Sequence, residues 1–241
     1  MNGTPKKCIL SLVIASEPSI YALGETAMTL DLGNCIDEKL NARALAICDN
    51  LKDHPLPGMI DIIVAYSSVS VFYDPASCGR KAISQTLLEA WRQTDGATAR
   101  ETGRAFRIPV CYEGEYAPDL EGVAREKGLS PREVIDLHCS IAYRIYMIGF
   151  LPGFPYMGKI DPRLETARKT RPTPVAAGSV GIAGMQTGIY PLNSPGGWQI
   201  IGRTPVRLFD RESDPPIHLR TGDRVEFYPV SILEFQTSKP S

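Results

Sequence analysis

The sequence predicts an α+β protein of two units, a ferredoxin-like unit over residues 1–100 and a β-rich unit over 101–241. Three observations carry that reading. Strand and helix periodicities alternate through the first hundred residues. A polar, glycine-containing stretch, QTDGATARETG (93–103), then breaks them and marks the boundary. Beyond residue 150 the chain turns rich in Gly and Pro, with short apolar runs at close spacing that suggest a closed barrel or a sandwich.

The elements come in this order. TAMTLDL (26–32) alternates polar and apolar, as a half-buried strand does. Asp37 is a helix cap, and Leu40, Ala44, Ile47 and Leu51 then form one apolar stripe. His54-Pro55 and Pro57-Gly58 end that helix. MIDIIVAY and SVSVFYDP read as two strands. A second helix runs from about Ser77 to Gln93, with Ile83, Leu87 and Trp91 at helical spacing. RAFRIPVCY (104–112) alternates again. It either completes a β-α-β-β-α-β unit or opens the next domain. In the second unit Ser130-Pro131-Arg132-Glu133 is a capping box with Pro at the first helical position, and Leu129 and Val134 form its hydrophobic staple. That helix extends to about His138, and YRIYMIGF turns to strand. SVGIAG, GIYP, WQIIG, VRLF and RVEFYPV supply the remaining short strands.

Composition narrows the function classes. Apolar residues make up 43% and charged residues 22%, as in an ordinary globular core with a solvated surface. The formal net charge of −1 argues against nucleic acid or an anionic membrane as the main partner, since either favours a basic surface. The apolar run CILSLVIA (8–15) is too short to span a bilayer and lacks a cleavage site. Cys8, Cys35, Cys48, Cys78, Cys111 and Cys139 are scattered and distant from the three histidines, so the spacing indicates reduced thiols in a cytoplasmic protein and no metal site.

Two motifs match in part and fail on chemistry. Gly153-Phe154-Pro155-Tyr156-Met157-Gly158-Lys159-Ile160 has the G-x-x-x-x-G-K frame of a phosphate-binding loop. Ile160 offers no hydroxyl for magnesium, Pro155 removes a backbone N–H from the cradle, and Asp161-Pro162 stands where a helix should start. Ala177-Gly178-Ser179-Val180-Gly181 resembles a nucleophile elbow, but the residues after Ser179 read as strand and turn. Ser179 therefore stands as a hydrogen-bonding pocket residue.

Three longer stretches resemble the allophanate hydrolase subunit 1 family: YMIGFLPGFPYMG (146–158), AGSVGIAGMQTGIYP (177–191) and SPGGWQIIGRT (194–204). That family includes the B component of the bacterial ATP-dependent 5-oxoprolinase, a sporulation-kinase inhibitor, and half of the carboxyltransferase region of urea carboxylases. The resemblance covers nearly the whole chain. Two departures stand out: Ala167-Arg168 where the family reads Pro-Arg, and Val175-Ala176-Ala177-Gly178-Ser179 where it reads Val-Pro-Ala-Gly-Ser.

The resemblance implies a ferredoxin-like domain followed by a cyclophilin-like β-barrel. It also implies an enzyme subunit that opens 5-oxo-L-proline to L-glutamate with ATP. Its partners would be a related barrel subunit (the C component of the oxoprolinase) and a LamB/YcsF-like subunit (its A component). A kinase-binding inhibitor, or a carboxyltransferase component working with a biotinyl carrier, are the alternatives. The chemistry needs a cation for a carboxylate or phosphate, donors for an oxyanion, and a base for water. Arg203 suits the first role and Gln186 and Thr187 the second, while His138 is the candidate base. Phe154 and Tyr156 would wall a pocket or interface, with Tyr190 and Trp198 either beside them or in the core. Arg203 also has a structural alternative, an ion pair with Asp210, and His138 has one as a dipole-compensating or core residue at its helix C-terminus.

Overall fold

The computed structural model describes residues 17–95 and 103–238. The apolar run 8–15, Cys8 and most of the boundary stretch lie outside them. The chain divides into two compact units between Glu101 and Thr102.

The first unit holds a four-stranded antiparallel sheet and two helices. Its elements are β1 (Ser19–Ala22), β2 (Ala27–Asp31), α1 (Glu38–Asp53), β3 (Met59–Ala65), β4 (Ser68–Tyr73) and α2 (Arg80–Gln93). Asp37 caps α1 by accepting from the Lys39 and Leu40 N–H groups, and the stripe Leu40, Ala44, Ile47 and Leu51 is buried. Ile83 and Leu87 of α2 join Leu30, Val69 and Val71 of the sheet in one core. α2 begins at Arg80, after Gly79, rather than near Ser77, because Ser77 spends its hydroxyl on Asp74.

The sheet order is β1-β2-β4-β3. The outer place beside β2 is filled by β1, a hairpin neighbour, and not by the strand at 105–111. Residues 105–111 instead enter the second unit, which resolves the two placements the sequence left open.

The second unit is built on a closed barrel. Its strands are β5 (Ala105–Cys111), β6 (Ala142–Ile148), β7 (Pro155–Gly158), β9 (Ser179–Ala183), β10 (Gln186–Ile189), β12 (Gln199–Arg203) and β13 (Arg224–Val230). They close in the order β10-β7-β6-β13-β5-β12-β9. β5 and β13 run parallel over seven residue pairs, Arg224↔Ala105 to Val230↔Cys111. A small ribbon, β8 (Thr173–Val175) with β11 (Ser194–Gly196), stands outside the barrel. Alternating inward residues, among them Val110, Ile145, Met157, Val180, Ile182, Ile201 and Val225, fill the core.

Helices α3 (Leu120–Lys127), α4 (Pro131–Cys139) and α5 (Ile232–Thr237) complete this unit. α4 opens with the expected capping box at Ser130 and Glu133, and Val134 is buried with Leu129 packed on the same core. α3 and α5 are additions to the sequence reading. VRLF (206–209) is not a strand: only Phe209 makes a bridge, to Ile217. Asp223, 3% exposed, ties the turn before β13 to the start of β5 by accepting from Arg104 and from the Arg220 N–H.

Candidate functional site

The candidate residues fall into three separate environments of the barrel unit. His138 and Thr187 lie in the first. His138, on α4, is fully buried, with its ring stacked on Phe227 at 4.7 Å. Thr187 Oγ1 donates to the Gly181 carbonyl at 3.1 Å, so its oxygen accepts from His138 Nε2 at 2.9 Å. Nδ1 is then the acceptor for the Tyr112 hydroxyl at 2.8 Å. The Tyr112 oxygen also meets Cys139 Sγ at 3.4 Å. Every polar atom of the imidazole is thus satisfied inside the protein. Burial lowers the His138 pKa to about 3, so the ring is neutral at physiological pH and adds no charge at the helix C-terminus. Burial also pushes the Tyr112 hydroxyl well above its usual range.

Aromatic side chains form the second environment. Phe154, Tyr190 and Trp198 are buried together with Val175, Ala183 and Ile200 in a satellite core, with Tyr156 packed against it. The Phe154 ring lies 4.7 Å from Tyr156, 5.1 Å from Tyr190 and 5.4 Å from Trp198, mostly edge to face. Phe150, in the left-handed region at φ 68 and 62% exposed, caps this stack at 5.8 Å from Phe154. Gly153 (φ 83) lets the loop close on the Leu208 carbonyl, which a Cβ would approach to 3.3 Å. Residues 155–158 are a barrel strand, and Ser179, 5% exposed, starts another. Gln186 pairs with Gly158 and Ala183 in the ladder beside Thr187.

The third environment is a cleft of about 710 Å³ lined by Arg203, Arg207, Arg211, Phe209, Asp210 and Phe235, among others. Arg203 leaves the end of β12, where it pairs with Ser179 across the ladder. Its Nε donates to the Ala177 carbonyl at 2.8 Å. Asp210 pairs with Arg207 at 3.1 Å instead, so the ion pair weighed from sequence goes to a different arginine. Among the described residues the two Nη groups of Arg203 have no partner, and they form a free planar fork.

The support beneath Arg203 is tight. Gly178 (φ 81) packs so closely on β12 that a Cβ there would lie 2.3 Å from the Thr204 carbonyl oxygen. The Thr204 N–H donates to the Gly178 carbonyl at 2.9 Å. On the far side of the same turn the Ala177 N–H donates to Asn193 Oδ1 at 2.7 Å. Of the residues lining this cleft, sequence reasoning singled out Arg203 but not Arg207, Arg211, Phe209 or Phe235, and it did not single out Asn193 on the turn behind. No spacing rule links them, because the cleft joins segments around 177, 203–211 and 235. The fold thus separates Arg203 from His138 and from the aromatic cluster instead of gathering them around one point.

Among the described residues no group of His, Cys, Asp and Glu could hold a metal ion, and no helix is long and apolar enough to cross a membrane.

Comparison with known proteins adds four findings. The profile of a family described as carboxyltransferase domain, subdomain C and D, matches residues 18–219. The B subunit of the 5-oxoprolinase of Bacillus subtilis (strain 168) is 42% identical over 230 residues, which are 91% of this chain and 96% of that protein. The crystal structure of TTHA0988 superposes with a TM-score of 0.74 at 39% identity, over 85% of this chain and 40% of the other. This chain therefore spans about two-fifths of that solved protein. The fold also recurs in Kluyveromyces lactis urea amidolyase, with a TM-score of 0.76 at 20% identity over 91% of this chain and 15% of that one.

Proposed function

The chain belongs to the family of carboxyltransferase subdomains C and D, and from that premise we propose that it is the B subunit of an ATP-dependent 5-oxoprolinase. The observation that carries this reading is the 42% identity to a 5-oxoprolinase B subunit along 96% of that protein's length. The complex would convert 5-oxo-L-proline to L-glutamate in the cytoplasm, together with a related barrel subunit and a LamB/YcsF-like subunit. In this reading the N-terminal unit (1–100) is ferredoxin-like, with the hairpin strand β1 in the place of its last strand. The C-terminal unit (101–241) is a cyclophilin-like barrel.

The reaction sets the requirements. An unstrained lactam is a poor electrophile, so ATP activates it, and the site must hold anionic oxygen atoms while water attacks. Arg203 supplies a rigid guanidinium for such an anion. Its held Nε and free Nη fork support that role. His138 acts at a remove in this reading: enclosed and neutral, it fixes Thr187 and hence the β9–β10 ladder that carries Ser179 and Gln186. The base for water then comes from a partner subunit, in line with the absence of a complete set of groups around Arg203 among the described residues. Phe150, exposed on top of the buried stack of Phe154, Tyr190 and Trp198, and the half-buried Tyr156 beside them offer the apolar surface that a partner barrel would cover.

The test is glutamate release from 5-oxoproline by the purified chain, with and without its co-expressed partner subunits. Activity is expected only from the assembled complex and only with ATP. Turnover by the single chain would overturn the division of labour. Carboxyl transfer that needs a biotinyl carrier, with no glutamate formed, would replace the reading.

A further inference from the structure

The cleft around Arg203 is large and cationic, and a lactam acid would fill only a small part of it. We propose that it is a nucleoside triphosphate site, with the polyphosphate on Arg203, Arg207 and Arg211 and the base against Phe209 and Phe235. The inference rests on the reading of the chain as a subunit of an ATP-dependent enzyme and assigns the nucleotide to this subunit.

Size comes first. A volume of about 710 Å³ falls among pockets for drug-sized ligands, and a single five-membered lactam acid would leave most of it to water. Charge comes second. Three arginines and one aspartate, Asp210, are the charged residues of the lining, which therefore carries a formal charge of +2 (three minus one). Asp210 does not cancel more than one of them. It stays ionised, its pKa lowered by the Glu212 N–H and by Arg207, and it lies 3.1 Å from Arg207.

Donor geometry is the third argument. Locking Nε on the Ala177 carbonyl fixes the plane of the Arg203 guanidinium and leaves the end-on Nη pair to grip two oxygens at once. A phosphoryl group offers such an oxygen pair in several orientations, and neighbouring phosphates can engage Arg207 and Arg211. The fourth argument is the apolar wall. Pro191, Leu192, Phe209 and Phe235 also line the cleft, and stacking of a base on an aromatic ring contributes about 1–3 kcal/mol. No glycine-rich phosphate cradle is needed, because the arginines supply the charge that such a loop otherwise collects from backbone N–H groups.

The experiment is calorimetric titration of the full chain, alone and in the assembled complex, with ATP, tripolyphosphate and 5-oxoproline at fixed ionic strength. ATP and tripolyphosphate should bind, and raising the salt should weaken both. Arg203→Ala should weaken ATP at least tenfold, which corresponds to about 1.4 kcal/mol. Arg203→Lys should recover part of the affinity, and it carries the test if the alanine variant does not fold. Phe235→Ala should weaken ATP and leave tripolyphosphate unchanged.

Failure of ATP to bind to either the chain or the complex overturns the proposal. So does ATP affinity that is unchanged in Arg203→Ala, or 5-oxoproline binding that depends on Arg203 when ATP binding does not. Equal loss of ATP and tripolyphosphate in Phe235→Ala removes the base from that wall. Glutamate release by a complex in which this chain binds no ATP refutes this inference and leaves the functional reading intact. ATP binding without glutamate release does the reverse.

Discussion

His138 and Arg203 sit in the same barrel unit, and the sequence offers each both a reactive and a structural reading, yet the fold treats them in opposite ways. All of the hydrogen-bonding capacity of the His138 ring is used inside the protein, between Tyr112 and Thr187. Arg203 commits one N–H to Ala177 and holds the rest of its fork open to a cleft. A buried polar network that is fully satisfied gives rigidity and a unique register. A cation anchored at one edge and open at the other keeps donors that an anion could engage. Residue type alone does not distinguish a reactive group from a structural one; the unspent donors do.

The comparison breaks most readily at His138. Replacing it with Ala removes a stacked ring and leaves the buried Tyr112 hydroxyl with only the weak Cys139 thiol as partner, so stability should fall by about 3–5 kcal/mol. Chemical denaturation of the purified chain reads this directly. A variant that keeps wild-type stability but loses complex activity would make His138 a reactive group and erase the contrast.

Acid gives the next largest effect. The folded pKa of His138, about 3, lies below its ordinary value of 6.5. Between those values the unfolded chain takes up a proton that the folded chain refuses. Stability from this group is therefore intact above pH 6.5 and is lost as the pH falls, with a slope approaching about 1.4 kcal/mol per pH unit. Denaturation curves from about pH 7 to 4 should show that slope, and His138→Gln should flatten it. Equal slopes in the two proteins would mean that the imidazole is not held neutral.

Two substitutions sharpen the other side. Gly178→Ala puts a Cβ at positive φ against the Thr204 carbonyl and should cost about 2 kcal/mol of stability. Because the same turn carries the Ala177 carbonyl, anion affinity should fall with it. Unchanged melting and binding would show that the turn does not hold Arg203 in place. Asn193→Ala, the mildest, deletes one exposed hydrogen bond worth about 1 kcal/mol. It should raise the KM of the assembled complex a few-fold and leave kcat near wild type, with the melting temperature lowered by about 2–4 °C. A fall in kcat at constant KM would assign Asn193 a different task.

Much of the fold was legible because local rules acted without competition. The Asp37 cap and the stripe behind it, and the capping box at Ser130, specify α1 and α4 without help from tertiary structure. α3 escaped notice because Asp119, before its first residue, gives its side chain to the Ile200 N–H and not to a cap. VRLF satisfies strand periodicity, but only Phe209 finds a backbone partner. The strand at 105–111 could not be placed from alternation alone, since its pairing with β13 is a long-range choice. The cleft was less legible still. Arg203 was visible as a cation on a rigid strand, but Phe209 and Phe235 read as ordinary apolar residues until the chain brought them to the same wall.

The parallel pairing of β5 with β13 also has a consequence for biosynthesis. Arg104 and Asp223, which pair at the start of these two strands, are 119 residues apart in the chain. On a ribosome adding about 5–20 residues per second, the first barrel strand waits roughly 6–24 s before its partner has been made. During that interval the β5 edge is an open template for any other nascent strand. The N-terminal sheet, whose order is completed by its own hairpin strand β1, needs nothing synthesised later to finish its strand pairing. Ribosome profiling with selective capture of chaperone-bound chains should therefore find chaperone occupancy rising after β5 emerges and falling once β13 has cleared the exit tunnel.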